Sequence, residues 1–211
     1  MTQFEDAPKL LGKDAARQER LRQLHESHVA PLTAFVEALR EEKGSEFQIP
    51  YFDPWDGGVE ARVLNLLEAP GPKAVRSGFV SRNNPDETAK NSFELHRDAG
   101  IPRRWAVSWN IVPWYIGTGT KIRPAKSDDI ADATRCLDRL LSLLPNLRGI
   151  VLIGRKAQRA EDRIRTLRPE IKIFRSPHPS PLFVNNAPGN RDKILSVLRD
   201  VRLFLEQSIA R

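Results

Sequence analysis

Apolar residues change their spacing several times along this chain, and each change marks an element. From Lys13 to Lys43, Leu21, Leu24, Leu32, Phe35, Val36 and Leu39 recur at helical spacing. This predicts two amphipathic helices broken at Pro31, with the charged remainder, including the run Arg17 to Arg22, facing solvent. Four short runs are apolar almost throughout: Ala61 to Leu67, Trp105 to Val112, Gly149 to Ile153 and Ile171 to Phe174. Runs of this kind predict strands buried on both faces. Helical spacing returns between them. Asp86 or Glu87 opens a helix to about Ala99, and Ser127 caps one through Leu144 with Ile130, Thr134, Leu137, Leu140 and Leu141 on one face. Gly154 starts another to about Leu167, and a last one runs from about Arg191 to Ile209.

Strands that alternate with helices imply parallel pairing through right-handed crossovers. The expected fold is therefore α/β, a three-layer α/β/α arrangement around a central four-stranded parallel sheet. We expect one domain over residues 1–211, with 1–45 as an N-terminal helical segment and 46–211 as the α/β core. Two stretches lack periodicity. Glu46 to Gly58, rich in aromatics, Pro and Gly, reads as an ordered loop whose rings cap the core rather than stack on bases. Lys73 to Asn91 reads as a long loop.

Composition narrows the class. Hydrophobic residues make up 40% and charged residues 29%, with no apolar run long enough to cross a bilayer, so the expectation is a soluble globule without a membrane partner. The start Met-Thr-Gln-Phe-Glu-Asp lacks the basic-then-apolar pattern of a secretory signal, which points to a cytoplasmic setting. Cys136 is the single cysteine, which excludes an internal disulfide, a cysteine-rich zinc site and a cysteine-ligated iron–sulfur cluster. A formal net charge of +7 suggests an anionic partner, but becomes informative only beside a site.

In open α/β sheets ligands bind at the carboxyl ends of the strands. Here those ends deliver Glu68-Ala-Pro-Gly-Pro72, Asn110 with Pro113 and Trp114, Gly154-Arg-Lys156, and Arg175-Ser-Pro-His-Pro-Ser-Pro-Leu-Phe183. In the last, prolines fix the backbone around His178, Ser180 and Leu182. A lone loop histidine is as readily a solvated turn residue as a catalytic one, so its company decides.

That company resembles the uracil-DNA glycosylase superfamily from about Val59 to Leu182. His178-Pro-Ser-Pro-Leu182 looks like the motif carrying the superfamily's active-site histidine and DNA-wedging leucine. Glu68-Ala-Pro-Gly71 is similar to the first motif of the thermophile-type enzymes, and Ile153-Gly-Arg-Lys-Ala-Gln158 resembles the third-strand turn that grips phosphate. The resemblance implies a monofunctional DNA repair enzyme that flips uracil from DNA, hydrolyses its N-glycosidic bond and leaves an abasic site. It implies His178 as donor to the leaving base and Asn110 as reader, whose amide matches uracil N3–H and O4. Phe79 matches the ring that stacks on the base, with an ordinary core role as the alternative. Ala69, Pro70 and Gly71 would line the base pocket. Ser180, Gly154, Arg155 and Lys156 would hold phosphates, and Leu182 would fill the gap left in the duplex.

The sequence departs from the pattern in three places. Ala69 and Gly71 stand where the best-known members carry a water-positioning aspartate and a thymine-blocking tyrosine, which leaves Glu68 as the nearest carboxylate and opens the pocket. Wider base tolerance is expected, with hypoxanthine, xanthine and modified uracils as candidates. The thermophile-type four-cysteine cluster is absent, so neither an iron–sulfur group nor any other cofactor is expected. The partner is DNA, single- or double-stranded, and a monomer is expected. The alternatives are a non-cleaving binder of uracil-containing or damaged DNA with the same fold, and a phosphate-binding α/β hydrolase that ignores DNA.

Overall fold

A computed structural model describes residues 4–118 and 121–207. In chain order they form α1 (Asp14–Arg22), α2 (Ala30–Lys43), β1 (Tyr51–Phe52), β2 (Val63–Leu67), α3 (Pro72–Ser77), β3 (Phe79–Val80) and α4 (Glu87–Ala99). There follow β4 (Ala106–Asn110), β5 (Gly117–Thr118), β6 (Lys121–Ile122), α5 (Ser127–Ser142), β7 (Gly149–Ile153) and α6 (Gly154–Ala157), then α7 (Glu161–Leu167), β8 (Lys172–Ser176), α8 (Pro181–Val184) and α9 (Asn190–Gln207). Among these residues no helix is long and apolar enough to cross a membrane.

The four apolar runs become a single four-stranded sheet of order β4-β2-β7-β8, parallel throughout. Alternation along each strand sends side chains to opposite faces. Leu64, Leu66, Val107, Trp109, Ile150 and Leu152 pack on one face against α2, α5 and Ile164 of α7. Val63, Ala106, Val151 and Ile153 pack on the other against α4 and α9. Both faces are thus covered, which is why the strands lack polar alternation. The aromatics of the 46–58 loop divide their work. Phe52 stacks on Trp109 with centroids 3.8 Å apart and planes 9° apart, an arrangement worth about 0.5–1.5 kcal/mol beyond area burial.

Several details differ from the expectation. Pro31 lies in the first turn of α2, where its missing N–H costs nothing, and the break between the first two helices falls earlier, before Val29. Leu21 is exposed. Ser127 is the first residue of α5 rather than its cap, and the Asp129 carboxylate instead accepts from Lys126 N–H at 2.7 Å. The two expected loops contain α3 and the pair β1–β3, two residues each and too short to show a period. The end of the last helix, at Ile209, falls outside the described residues.

Arg20, within the run expected to face solvent, is buried at 1% exposure. The reason is Asp53, with which it forms an ion pair at 0% side-chain exposure. Arg103 reaches the same carboxylate at 2.7 Å and Asp56 at 2.9 Å. Arg20 and Arg103 also donate to Asn83 Oδ1 at 3.0 and 2.8 Å, and Ser81 donates to Asp53. This network ties α1, the loop after β1, the segment after β3 and the turn before β4 together. The arginines beside Asp53 bring its carboxyl down to about 2 against the opposing effect of burial.

A second buried polar chain crosses from the sheet to α4. Asn65 Nδ2 lies 3.1 Å from His96 Nε2, and His96 Nδ1 lies 2.7 Å from the Ser92 carbonyl, so neutral imidazole donates to Ser92 and accepts from Asn65. Burial, with help from the Arg82 charge, brings the His96 pKa down to about 3. An unfolded histidine binds its proton near 6.5, so the contribution of this group is complete above that pH and is lost as pH falls toward 3. We expect the melting temperature to decline through this window at a rate set by about 1.4 kcal/mol per pH unit per proton, and His96→Gln to flatten the decline. An unchanged slope in the variant would assign acid sensitivity elsewhere.

Candidate active site

The carboxyl end of β2 is held beside that of β4. Register pairs Leu67 with Asn110, and two further bonds, Ile111 N–H to Leu67 O at 2.8 Å and Val112 N–H to Glu68 O at 3.0 Å, continue the pairing past the strand ends. Glu68 and Asn110 therefore open on a common rim. A cleft of about 490 Å³ lies there.

Glu68, Ala69, Pro70, Gly71, Asn110 and His178 all line the cleft, so three separate strand exits converge as the sequence predicts. Gly71 has an ordinary extended φ of −80°, and a Cβ added to it would meet nothing within 4 Å. The space a larger side chain would occupy is open. Asn110 is 4% exposed, and its Nδ2 is buried without a hydrogen-bond partner among the described residues. An unpaired buried donor costs about 1–3 kcal/mol, a penalty that a ligand carbonyl would remove.

His178 is half-buried on a braced loop. Asn91 Nδ2 of α4 donates to Pro179 O at 2.9 Å, and Ser180 Oγ caps α8 by accepting from Phe183 N–H at 3.3 Å. Gly154, the first residue after β7, packs against it: its φ of +82° favours glycine, and a Cβ there would lie 3.4 Å from His178 Cβ. Burial pushes the imidazole pKa down, against the carboxylates of Glu68 and Asp86 that pull it up. At neutral pH the ring is uncharged and offers one N–H. The Glu68 carboxylate is partly engaged, since Oε1 accepts from Ala125 N–H at 2.6 Å.

The remaining candidates lie away from the cleft wall. Phe79 is 0% exposed and packs with Leu11, Leu24 and Tyr51, so the expected stacking role gives way to the core alternative: a ring with no free face cannot receive a base. Ser180, Leu182, Gly154, Arg155 and Lys156 flank the site rather than line it. Lys156 donates to Ala125 O at 2.5 Å, bracing with Glu68 the same segment, while Arg155 is exposed. Leu182 is 84% exposed at the first turn of α8, beside the histidine loop.

Sequence reasoning missed several polar lining residues, among them Ser81, Arg82, Asp86 and Ser108. Asp86 was visible only as a helix cap, which it is, accepting from Ala89 N–H at 2.9 Å. Arg82 carried no local signal at all. A second cleft of about 430 Å³ adjoins at Ile122 and Arg123 and is lined by Phe47, Trp114, Tyr115 and Lys121.

Comparison with known proteins bears on the fold and the family. The chain has the same fold as wild-type SMUG2 of Pedobacter heparinus, with a TM-score of 0.53 at 12% identity over 86% of each chain. A solution structure from Methanosarcina acetivorans, described as a candidate uracil DNA glycosylase, aligns at 18% identity and a TM-score of 0.46 over 67% of this chain and 91% of that one. No curated protein sequence matches significantly. The sequence model of the uracil DNA glycosylase superfamily matches residues 54–202, a span that contains every strand of the sheet and the whole cleft, and the chain belongs to that superfamily.

Proposed function

We propose that this protein is a monofunctional DNA glycosylase that hydrolyses the N-glycosidic bond of uracil, and of other deaminated bases, leaving an abasic site. The observation that carries the reading is the convergence of His178, Asn110 and Glu68 on one cleft, with the 84% exposed Leu182 beside it. A base stacked in a duplex is out of reach, so the enzyme must flip it at a cost of a few kcal/mol. Leu182 fits the wedge that fills the vacated gap. Asn110 offers its unpaired Nδ2 to a base carbonyl and its Oδ1 to an imino N–H, a pair that matches uracil and mismatches cytosine.

Cleavage sends the bonding electrons to the base, so catalysis rests mainly on donors placed where that charge develops. Neutral His178 supplies one. Water then adds to the oxocarbenium-like sugar. Glu68 retains one oxygen beyond the Ala125 contact, and Asp86 is the other carboxylate close to His178, so these two are the groups able to orient it. Arg155 and the adjoining aromatic and basic cleft would track the strand through phosphate contacts and stacking. The open space at Gly71 supports tolerance of bases larger than uracil.

Leu182→Ala separates wedge from chemistry. We expect about a tenfold or greater loss on duplex uracil substrate, near-normal rates on single-stranded substrate and an unchanged melting temperature, because an 84% exposed side chain adds little to stability. Equal losses on both substrates would remove the wedge role. The activity itself is tested with oligonucleotides carrying uracil, hypoxanthine or xanthine in both strand states, followed by alkali, which cuts at abasic sites. The alternative reading, a non-cleaving binder, draws on Ala69 and Gly71 in the first motif and on the engaged Glu68 oxygen. It predicts a salt-sensitive gel shift with every strand intact.

A further inference from the structure

Arg82 lies on the cleft wall and is 6% exposed. Its Nε and Nη2, the two donors on the bidentate edge of a guanidinium, are buried without a hydrogen-bond partner among the described residues. The nearest carboxylate oxygen, Asp56 Oδ1, is 3.6 Å from Nη2, too long for a hydrogen bond. That oxygen is better served by Arg103 at 2.9 Å, and Asp53 is shared between Arg20 and Arg103. The buried Arg20 and Arg82 and the partly buried Arg103 therefore face two buried carboxylates, with the exposed Asp6 paired to Arg103. Arg82 is the cation with the weakest pairing, its 3.6 Å contact with Asp56.

A buried charge held only by a long ion pair and without hydrogen bonds on one edge is expensive, and Arg82 stands beside a site whose reaction generates an anion. We propose that the Arg82 guanidinium is the cationic contact for the departing base, holding the negative charge that develops on the base as the C1′–N bond breaks. The inference rests on the glycosylase reading. The bonding pair leaves with the base, water adds to C1′, and the proton released from that water neutralises the base, so the step needs no other co-reactant. Neutral His178 gives a hydrogen bond but no charge, so the two groups are complementary rather than redundant. Burial lowers the Arg82 pKa, but a guanidinium starts from so high a value that it stays protonated at neutral pH, which suits it to the task.

The test compares uracil with 5-fluorouracil in single-stranded oligonucleotides under single-turnover conditions. Fluorine stabilises the leaving anion, so the better leaving group needs the cation less. Arg82→Gln is expected to slow uracil release at least tenfold more than 5-fluorouracil release, and Arg82→Lys to recover part of the difference. A merely structural arginine would slow both equally, and equal slowing or no slowing overturns the proposal. Because Asp56 loses a partner in these variants, the wild-type protein supplies a second measurement: the affinity for free 5-fluorouracil as pH is raised through its ionisation. Tighter binding of the anion is expected, and equal or weaker binding overturns the role of Arg82. Release of neither base by the wild-type protein would contradict the glycosylase reading itself, a result distinct from equal slowing.

Discussion

Replacing His178 with alanine is expected to slow base release about 10²- to 10³-fold, the usual effect of removing one donor to a developing oxyanion. The loop should survive the change, because it is braced by Asn91 to Pro179 O, by the Ser180 cap and by flanking prolines rather than by the imidazole. Circular dichroism and melting temperature should therefore match the wild type. The same geometry sets the pH profile. Burial lowers the His178 pKa, so the neutral, singly donating ring persists as pH falls below its ordinary 6.5, and activity should persist with it. A rate that halves near pH 6.5 and a near-normal rate for His178→Ala would both assign the leaving-base contact to another group.

Asn110→Ala should cost at least about 100-fold in rate while leaving stability unchanged or improved. The two effects have one cause. In the free protein Asn110 Nδ2 is buried and unpaired, a penalty of about 1–3 kcal/mol that alanine abolishes. With substrate bound, the same amide is positioned to pair with the base, and losing it forfeits both recognition and orientation. Opposite signs in melting temperature and rate would identify a residue kept for function at the expense of stability. A variant that loses both together would make Asn110 an ordinary structural residue of the strand end.

Most of the central sheet was legible because β2, β4 and β7 are buried on both faces, so unbroken apolar runs such as Gly149 to Ile153 mark their own boundaries. The rim was legible for a related reason: once the strands are placed, Glu68, Asn110 and His178 follow at their ends. Phe79 was not, because a phenylalanine after glycine looks the same whether it faces a cleft or fills the space between Leu11 and Leu24. Arg20 and Arg82 were hidden more deeply. Their burial depends on Asp53 and Asp56, brought to them by the fold across 33 and 26 positions of chain, and no local period records a partner at that range. Asp86 was read correctly as a cap, yet nothing in a capping signal says that the same carboxylate borders a cleft.

The claim that this cleft breaks an N-glycosidic bond is tested most directly by mixing excess protein with a single-stranded oligonucleotide carrying one uracil and measuring free uracil by mass spectrometry. The account predicts one free uracil per oligonucleotide, with a matching alkali-labile abasic site in every strand, and loss of both in His178→Ala. Tight binding of the oligonucleotide with no free base and no abasic site, and the same result for hypoxanthine and xanthine, would contradict it.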